Sequence, residues 1–234
     1  MLNLHFNLKM VHTTLMHTSL LRLMQLCSQT LPVGAYAYSQ AQEYAIATGW
    51  VSDAASAEEW ISGVFRAGFG RLDLPALVLA HAAADHEDWD RLEEIDEYLR
   101  ASRETRELLL EDMEMGRALR RLLNTLDVKH GFSQAPSFVS QFACAGVSWG
   151  IALQDLMMGF SYSWLENQVM VASKSVPLGQ SESQKMLYRL GEAVPGVVTD
   201  ALALASEPDF GASLHGLAIL SARHETMEAR LYRS

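Results

Sequence analysis

The sequence has little cysteine and no excess of positive charge. Cys27 and Cys144 are its only cysteines and form no CxxC pair, so we expect no disulfide framework and a reducing, cytoplasmic setting. Eighteen basic residues stand against 28 acidic ones, which gives a formal charge of -10. Because phosphate binding needs a basic surface, this balance argues against a nucleic-acid partner.

Long apolar runs are also missing. The opening residues 1–14 lack the apolar core and the small-residue cleavage site of a signal peptide, and we predict a flexible N-terminal segment there. The most apolar stretch, 151–173, is interrupted by polar residues that include Asp155 and Glu166. A membrane-spanning helix needs roughly 20 mostly apolar residues, so we predict a buried helix and no membrane association.

Several common catalytic motifs are absent as well. The sequence has no GxxxxGK[ST] phosphate loop, no GxGxxG that follows a strand and no HExxH. We therefore predict a protein that is not an enzyme. One catalytic alternative stays open, a helical enzyme with a buried polar pocket around Asn167, Gln168 and Lys174.

Apolar residues recur at helical spacing along the chain, and strand signals are scarce. This pattern predicts an all-α fold, a single-domain bundle of about 8–10 helices over residues 15–234. Asp53 or Ser56 is suited to cap one helix, and a break is expected near Ser102. Another break is expected at Pro177-Leu178-Gly179.

Some helix bounds and ion pairs can be predicted too. We expect a second helix over about 38–48 and a last helix from about Phe210 into the terminal residues. Two acid–base pairs have the favourable i,i+4 spacing on a helix, and they are Glu87/Arg91 and Asp96/Arg100.

Four segments carry residue types that favour contact with a partner, and each also has a plain packing explanation. Tyrosines beside a Pro/Gly turn provide a rigid amphipathic surface, or they pack a tight helix–helix turn. A glycine inside a helix and polar residues inside a buried helix suggest close packing, an internal network or an interface. The segments are Thr30–Gln40 leading into Glu43, Ser102–Leu119, Tyr162–Gln180 and Ser221–Ser234.

The last of these segments is basic and aromatic although the protein is acidic. It contains Arg223, Arg230, Tyr232 and Arg233. Cations stabilise the C-terminus of a helix, and terminal residues are often poorly ordered, which together give a structural explanation. Arginine and tyrosine are also enriched at interface hot spots, so partner binding is the other interpretation.

In this order and at this spacing, the four segments resemble the UreF family of urease accessory proteins. The resemblance rests on LPVGAYAYSQ, on SRET followed by DMEMGRAL, on YSWLENQ followed by PLGQ, and on SARHETMEARLYRS. Each motif alone is weak, but four in series from about Leu20 to Ser234 form a specific signal.

The resemblance implies a non-catalytic, all-helical adaptor without a cofactor. Such a protein forms a homodimer, binds UreD (also called UreH), recruits the GTPase UreG and acts on apo-urease to insert nickel. The functional C-terminal tail, about 221–234, is expected to become ordered on UreD/UreH. The alternative is a regulator that activates or gates GTP hydrolysis by the partner, with Arg223, Arg230 or Arg233 as a catalytic finger.

The resemblance also implies which residues contact the partners. His224 is in addition a weak candidate for a transient nickel ligand, and no other metal ligand is predicted. The predicted contact residues are Tyr36, Tyr38, Glu43, Lys174, Arg223, His224, Glu225, Arg230, Leu231, Tyr232 and Arg233.

Overall fold

The computed structural model describes residues 18–128, 137–207 and 210–234. Within these ranges every regular element is a helix, which confirms the all-α prediction. The segment 1–14, predicted to be flexible, lies outside the described residues. No helix in the described ranges combines the length and the apolar character that a membrane span requires.

The helices follow one another with short connections. A single 3₁₀ turn, Ala35–Ala37, precedes α2, and a π-helical turn, Phe65–Phe69, extends α3. The helices are α1 (18–26), α2 (Gln42–Ala47), α3 (Ala54–Val64), α4 (Asp73–Asp85), α5 (Trp89–Ala101), α6 (Arg106–Thr125), α7 (Phe138–Ser148), α8 (Leu153–Ser175), α9 (Gln180–Gly191), α10 (Val194–Leu204) and α11 (His215–His224).

Polar caps determine where several helices begin. The Asp53 carboxylate accepts the Ser56 N–H at 2.9 Å, and the Asp53 N–H donates to Ser56 Oγ at 3.1 Å. This reciprocal capping box confirms Asp53 as the cap of α3. Thr105 caps α6 in a similar way, directly after the break that was predicted near Ser102.

The centre of the core is α4, which packs against α5, α7 and α10. Its residues Leu74, Ala76, Leu77 and Ala80 are completely buried, and no residue between them is fully exposed. Helix α7 fills the space between α4 and α6. The apolar core thus fixes α6, whose other side carries most of the candidate site.

Helices α2, α8 and α11 complete the surroundings of that site, since α2 packs against α8 and α11, and α11 packs against α6. Helix α2 begins later than predicted because Gln40 and Ala41 adopt left-handed backbone angles, with φ of 51° and 64°. The last helix is shorter than predicted at both ends, and residues 225–234 continue without regular structure.

Candidate partner-docking site

Residues 225–234, here called the tail, fold back onto the segment that precedes α2. The Arg233 N–H donates to Ala37 O at 2.8 Å, and the Ser39 N–H donates to Ser234 O at 3.0 Å. Ser39 Oγ also donates to Ser234 O. The two predicted segments at opposite ends of the sequence therefore form one surface.

Glu43 anchors the tail from the first turn of α2. Its Oε1 accepts the Leu231 N–H at 2.7 Å, and its Oε2 accepts the Tyr232 N–H at 3.1 Å. A buried carboxylate that accepts successive backbone N–H groups fixes the local conformation of the tail, much as a cap fixes the start of a helix.

His224 is completely buried between two carboxylates. Its Nε2 lies 2.9 Å from Glu43 Oε2, and its Nδ1 lies 2.7 Å from Glu107 Oε2. A neutral imidazole donates through one nitrogen only, so the two hydrogen bonds require a second proton on the ring or on a carboxylate. His224 thereby connects α11 to α2 and α6, and both of its nitrogens are occupied.

Glu107, Glu111 and Glu114 lie along one side of α6, at spacings of four and three residues. Glu107 Oε1 accepts from Arg230 at 2.6 Å. Glu111 Oε2 accepts from Ser234 Oγ at 2.7 Å. These three glutamates, together with Glu43 and the tail, are called the tail cluster below.

Glu114 closes the tail cluster at its solvent-exposed end. Its Oε2 accepts from Tyr38 OH at 2.6 Å and from the Arg233 guanidinium at 3.0 Å. Burial and the hydrogen bond to Glu114 raise the pKa of Tyr38 to about 12, so this phenol remains a donor. Tyr38 therefore acts as a clamp between the turn and α6.

The other two predicted segments support the same surface. The Trp164 indole N–H of α8 donates to Gln40 Oε1 at 3.0 Å, and Asn167 Nδ2 donates to Tyr38 O at 3.2 Å. At the start of α6, Thr105 Oγ1 and Ser221 Oγ share a hydrogen bond of 2.7 Å. All four segments therefore meet in space.

The predicted contact residues divide by exposure. Tyr38, Glu43, His224 and Tyr232 are buried, so in this conformation they position the tail and cannot reach a partner directly. Those at the surface are Tyr36, Lys174, Arg223, Glu225, Arg230, Leu231 and Arg233. Because Lys174 is exposed, it does not lie in a buried polar pocket with Gln168, which the catalytic alternative required.

Sequence reasoning missed several members of the site. Ser39 and Gln40 were seen only as part of a turn, and Glu107, Glu111 and Glu114 belong to an acid-rich stretch that resembles a solvated helix face. Their spacing on α6 was the available signal. In the described part of the chain, no cluster of three or more His, Cys, Asp or Glu side chains is arranged to hold a metal ion.

Comparison with known proteins agrees with the motifs. The model of the UreF family matches residues 51–191, more than half of the chain. The chain belongs to the UreF family.

Two relatives match over most of the chain. The protein of Teredinibacter turnerae is 47% identical over 222 residues, which cover 94% of this chain and 100% of that relative. The protein of Chromohalobacter salexigens is 45% identical over 215 residues, covering 91% and 93%. Both are named urease accessory protein UreF. This UreF-family chain is accordingly an accessory protein and not a catalytic enzyme.

Proposed function

We propose that this UreF-family protein is an adaptor that bridges UreD/UreH and the GTPase UreG while nickel is inserted into apo-urease in the cytoplasm. One observation carries the proposal: the tail is bonded to the turn before α2, at Arg233–Ala37 and Ser234–Ser39. Segments that are remote in sequence thus form one continuous docking surface.

Exposed and buried residues have different roles on this surface: the exposed ones contact the partner, and the buried ones position the tail. Leu231 is 78% exposed and Tyr36 is 58% exposed, so both side chains are available for contact with a partner. Tyrosine and arginine are enriched at the hot spots of protein interfaces, and Tyr36, Arg230 and Arg233 supply them here. Glu43 and His224 hold the tail in a single conformation, which lowers the entropy that docking would cost.

A homodimer is part of the proposal, and α1 supports it. Leu20, Leu21 and Met24 on this helix are all more than half exposed. Helix α1 rests on α8 at Gly159, where an added Cβ would lie 2.7 Å from Leu23. Three neighbouring apolar side chains on one exposed helix suit an interface between two copies of the chain.

Removal of residues 225–234 tests the adaptor role. Truncation after His224 keeps α11 intact, so we expect an unchanged far-ultraviolet circular dichroism spectrum and a loss of UreD/UreH capture in a pull-down with purified proteins. Leu231→Ser in the full chain should weaken capture at least tenfold. Tyr188→Ser is the matched control, because Tyr188 on α9 is 74% exposed and lies outside the docking surface.

GTP turnover by UreG, measured in the same complex, distinguishes an adaptor from a regulator of GTP hydrolysis. Arg223 favours the regulator, since it is exposed on the last turn of α11, a more rigid position than the tail. A large loss of UreG turnover in Arg223→Ala with capture intact would favour regulation. Normal capture by the truncated protein would contradict the adaptor proposal.

A further inference from the structure

A cavity lies beside the tail cluster, between the turn before α2, α6 and α8. Its volume is about 160 Å³, and its walls include Leu26, Val33, Phe69 and Phe160. A single water needs only roughly 10–15 Å³ by this kind of measure. The cavity is therefore large enough to receive a side chain or a small ligand with an apolar portion.

The charged groups around this cavity are mostly acidic. Arg103 is the only cationic residue among the described lining residues, and its guanidinium is bonded to Asp73 at 2.7 Å and to Asp112 at 3.4 Å. Glu111 and Glu166 also line the cavity, and neither has a cation within 4.0 Å among the described residues. The lining therefore carries acidic groups that form no ion pair with a cation in the described part of the chain.

Of Glu111 and Glu166, only Glu111 is buried. Its hydrogen-bond donors are neutral, since Gln40 Nε2 donates to Oε1 at 2.7 Å and Ser234 Oγ donates to Oε2 at 2.7 Å. Burial raises the pKa of Glu111 to about 7, although the Arg103 charge and both hydrogen bonds lower it. A carboxylate offers about four acceptor positions, so capacity for a cationic donor remains.

Tyr36 and Trp164 are among the aromatic residues that line the cavity. Tyr36 lines it and is largely exposed, which places this residue at the rim. Trp164 also lines the cavity and is bonded through Gln40 to Glu111. Aromatic rings attract ammonium and guanidinium groups, whereas an anion would be repelled by this lining.

We propose that the cavity is a socket for a lysine or arginine side chain of a bound partner protein. The alkyl portion packs against the apolar wall, and the cation reaches Glu111. This inference rests on the adaptor role, since Tyr36 and Gln40 belong to the proposed docking surface. It adds the chemistry of the partner, which presents a basic side chain at this point.

Titration of the purified chain with n-butylammonium chloride tests the socket directly. The readout is the NMR signal of the Trp164 indole N–H, assigned among the five tryptophans by Trp164→Phe. We expect a saturable shift, and affinity at least tenfold weaker in Glu111→Gln. Glu97→Gln removes an exposed carboxylate of α5 outside the cavity and should bind like the unmodified chain.

Three outcomes would overturn the socket. An equal response to 1-butanol at matched ionic strength would show a merely apolar cavity, and an unchanged affinity in Glu111→Gln would remove the proposed cation contact. A response to Ni²⁺ without one to the amine would assign the cavity to a metal ion.

A capture experiment separates this proposal from the adaptor role. Limited proteolysis should first show that the tail of Glu111→Gln remains docked, because glutamine can still bond to Gln40 and Ser234. We then expect UreD/UreH capture at least tenfold weaker in this variant. Normal capture by Glu111→Gln, with capture lost on tail truncation, would overturn the socket and leave the adaptor standing.

Discussion

Asp112 and Glu111 are adjacent on α6 and both buried, yet the groups that contact their carboxylates differ in charge. Asp112 faces the Arg103 guanidinium and accepts the Phe138 N–H at 2.9 Å. Among the residues that the structure describes, Glu111 accepts only from the neutral groups of Gln40 and Ser234. Arg103, Asp73 and Asp112 are called the Arg103 cluster below. Together with the Phe138 N–H, this cluster joins α4, α6 and α7.

The contacts of the tail cluster are of a kind that water or another molecule can replace. Its two arginines, Arg230 and Arg233, are exposed to solvent, and its other contacts come from backbone, hydroxyl, amide and imidazole groups. Water screens such ion pairs, so each contributes little alone. Helix α6 thus has ion-paired carboxylates where it joins the core, and carboxylates without a buried cation where we propose that a partner docks.

The largest expected effect is the loss of Arg103. Arg103→Met leaves buried Asp112 and partly buried Asp73 without a counter-charge, and breaking a buried pair in this way costs about 3–5 kcal/mol. Urea unfolding followed by circular dichroism measures the loss. Arg106→Met, three residues later and exposed, should cost less than about 0.5 kcal/mol. Equal losses in the two variants would show that the Arg103 cluster does not stabilise the fold.

Glu111→Gln should instead raise the free energy of unfolding above neutral pH. Burial raises the pKa of Glu111 to about 7 in the folded protein, so the folded state binds a proton that the unfolded state releases. Stability from this group is therefore greatest below its ordinary pKa of 4.5 and is lost as the pH rises through 7.

Because glutamine does not titrate, the variant should be more stable than the unmodified protein at pH 8, by up to about 3 kcal/mol. At pH 4.5 the two free energies of unfolding should be similar. Urea unfolding of both proteins at the two pH values measures this gap. A gap of the same size at pH 4.5 and pH 8 would exclude Glu111 as its source.

The sequence predicted local structure better than it predicted contacts between distant residues. The cap at Asp53 and the Asp96–Arg100 pair, at 3.1 Å, depend on neighbours within one turn, and both are present. The predicted pair of Glu87 and Arg91 is wrong, because Glu87 lies before α5 with a φ of 53°. Arg91 instead pairs with Glu94 at 2.7 Å.

The candidate site was predictable in its residue types and not in its assembly. Arginine and tyrosine in the terminal segment indicated contact, but composition could not place Arg233 beside Ala37, since that depends on how α2, α6 and α11 pack. His224 illustrates the limit: a histidine near a terminus suggests exposure, whereas two glutamates from other helices enclose it.

The smallest expected effect distinguishes functional from ordinary backbone strain. Gln40 and Glu87 have nearly the same left-handed φ, 51° and 53°, which costs a residue with a Cβ roughly 1–2 kcal/mol. Glycine removes that cost at either position. The Glu87 side chain has no hydrogen bond among the described residues, so Glu87→Gly should raise the free energy of unfolding by about 0.5–1 kcal/mol.

Gln40→Gly should instead lower it by about 1–2 kcal/mol, because the relief of strain is outweighed by the lost bonds to Trp164 and to buried Glu111. Thermal and urea unfolding of the two variants, measured side by side, show whether each substitution raises or lowers the free energy of unfolding. If Gln40→Gly were as stabilising as Glu87→Gly, the Trp164–Gln40–Glu111 chain would contribute nothing to the docked tail. The left-handed turn would then be an ordinary loop feature with no part in the tail cluster.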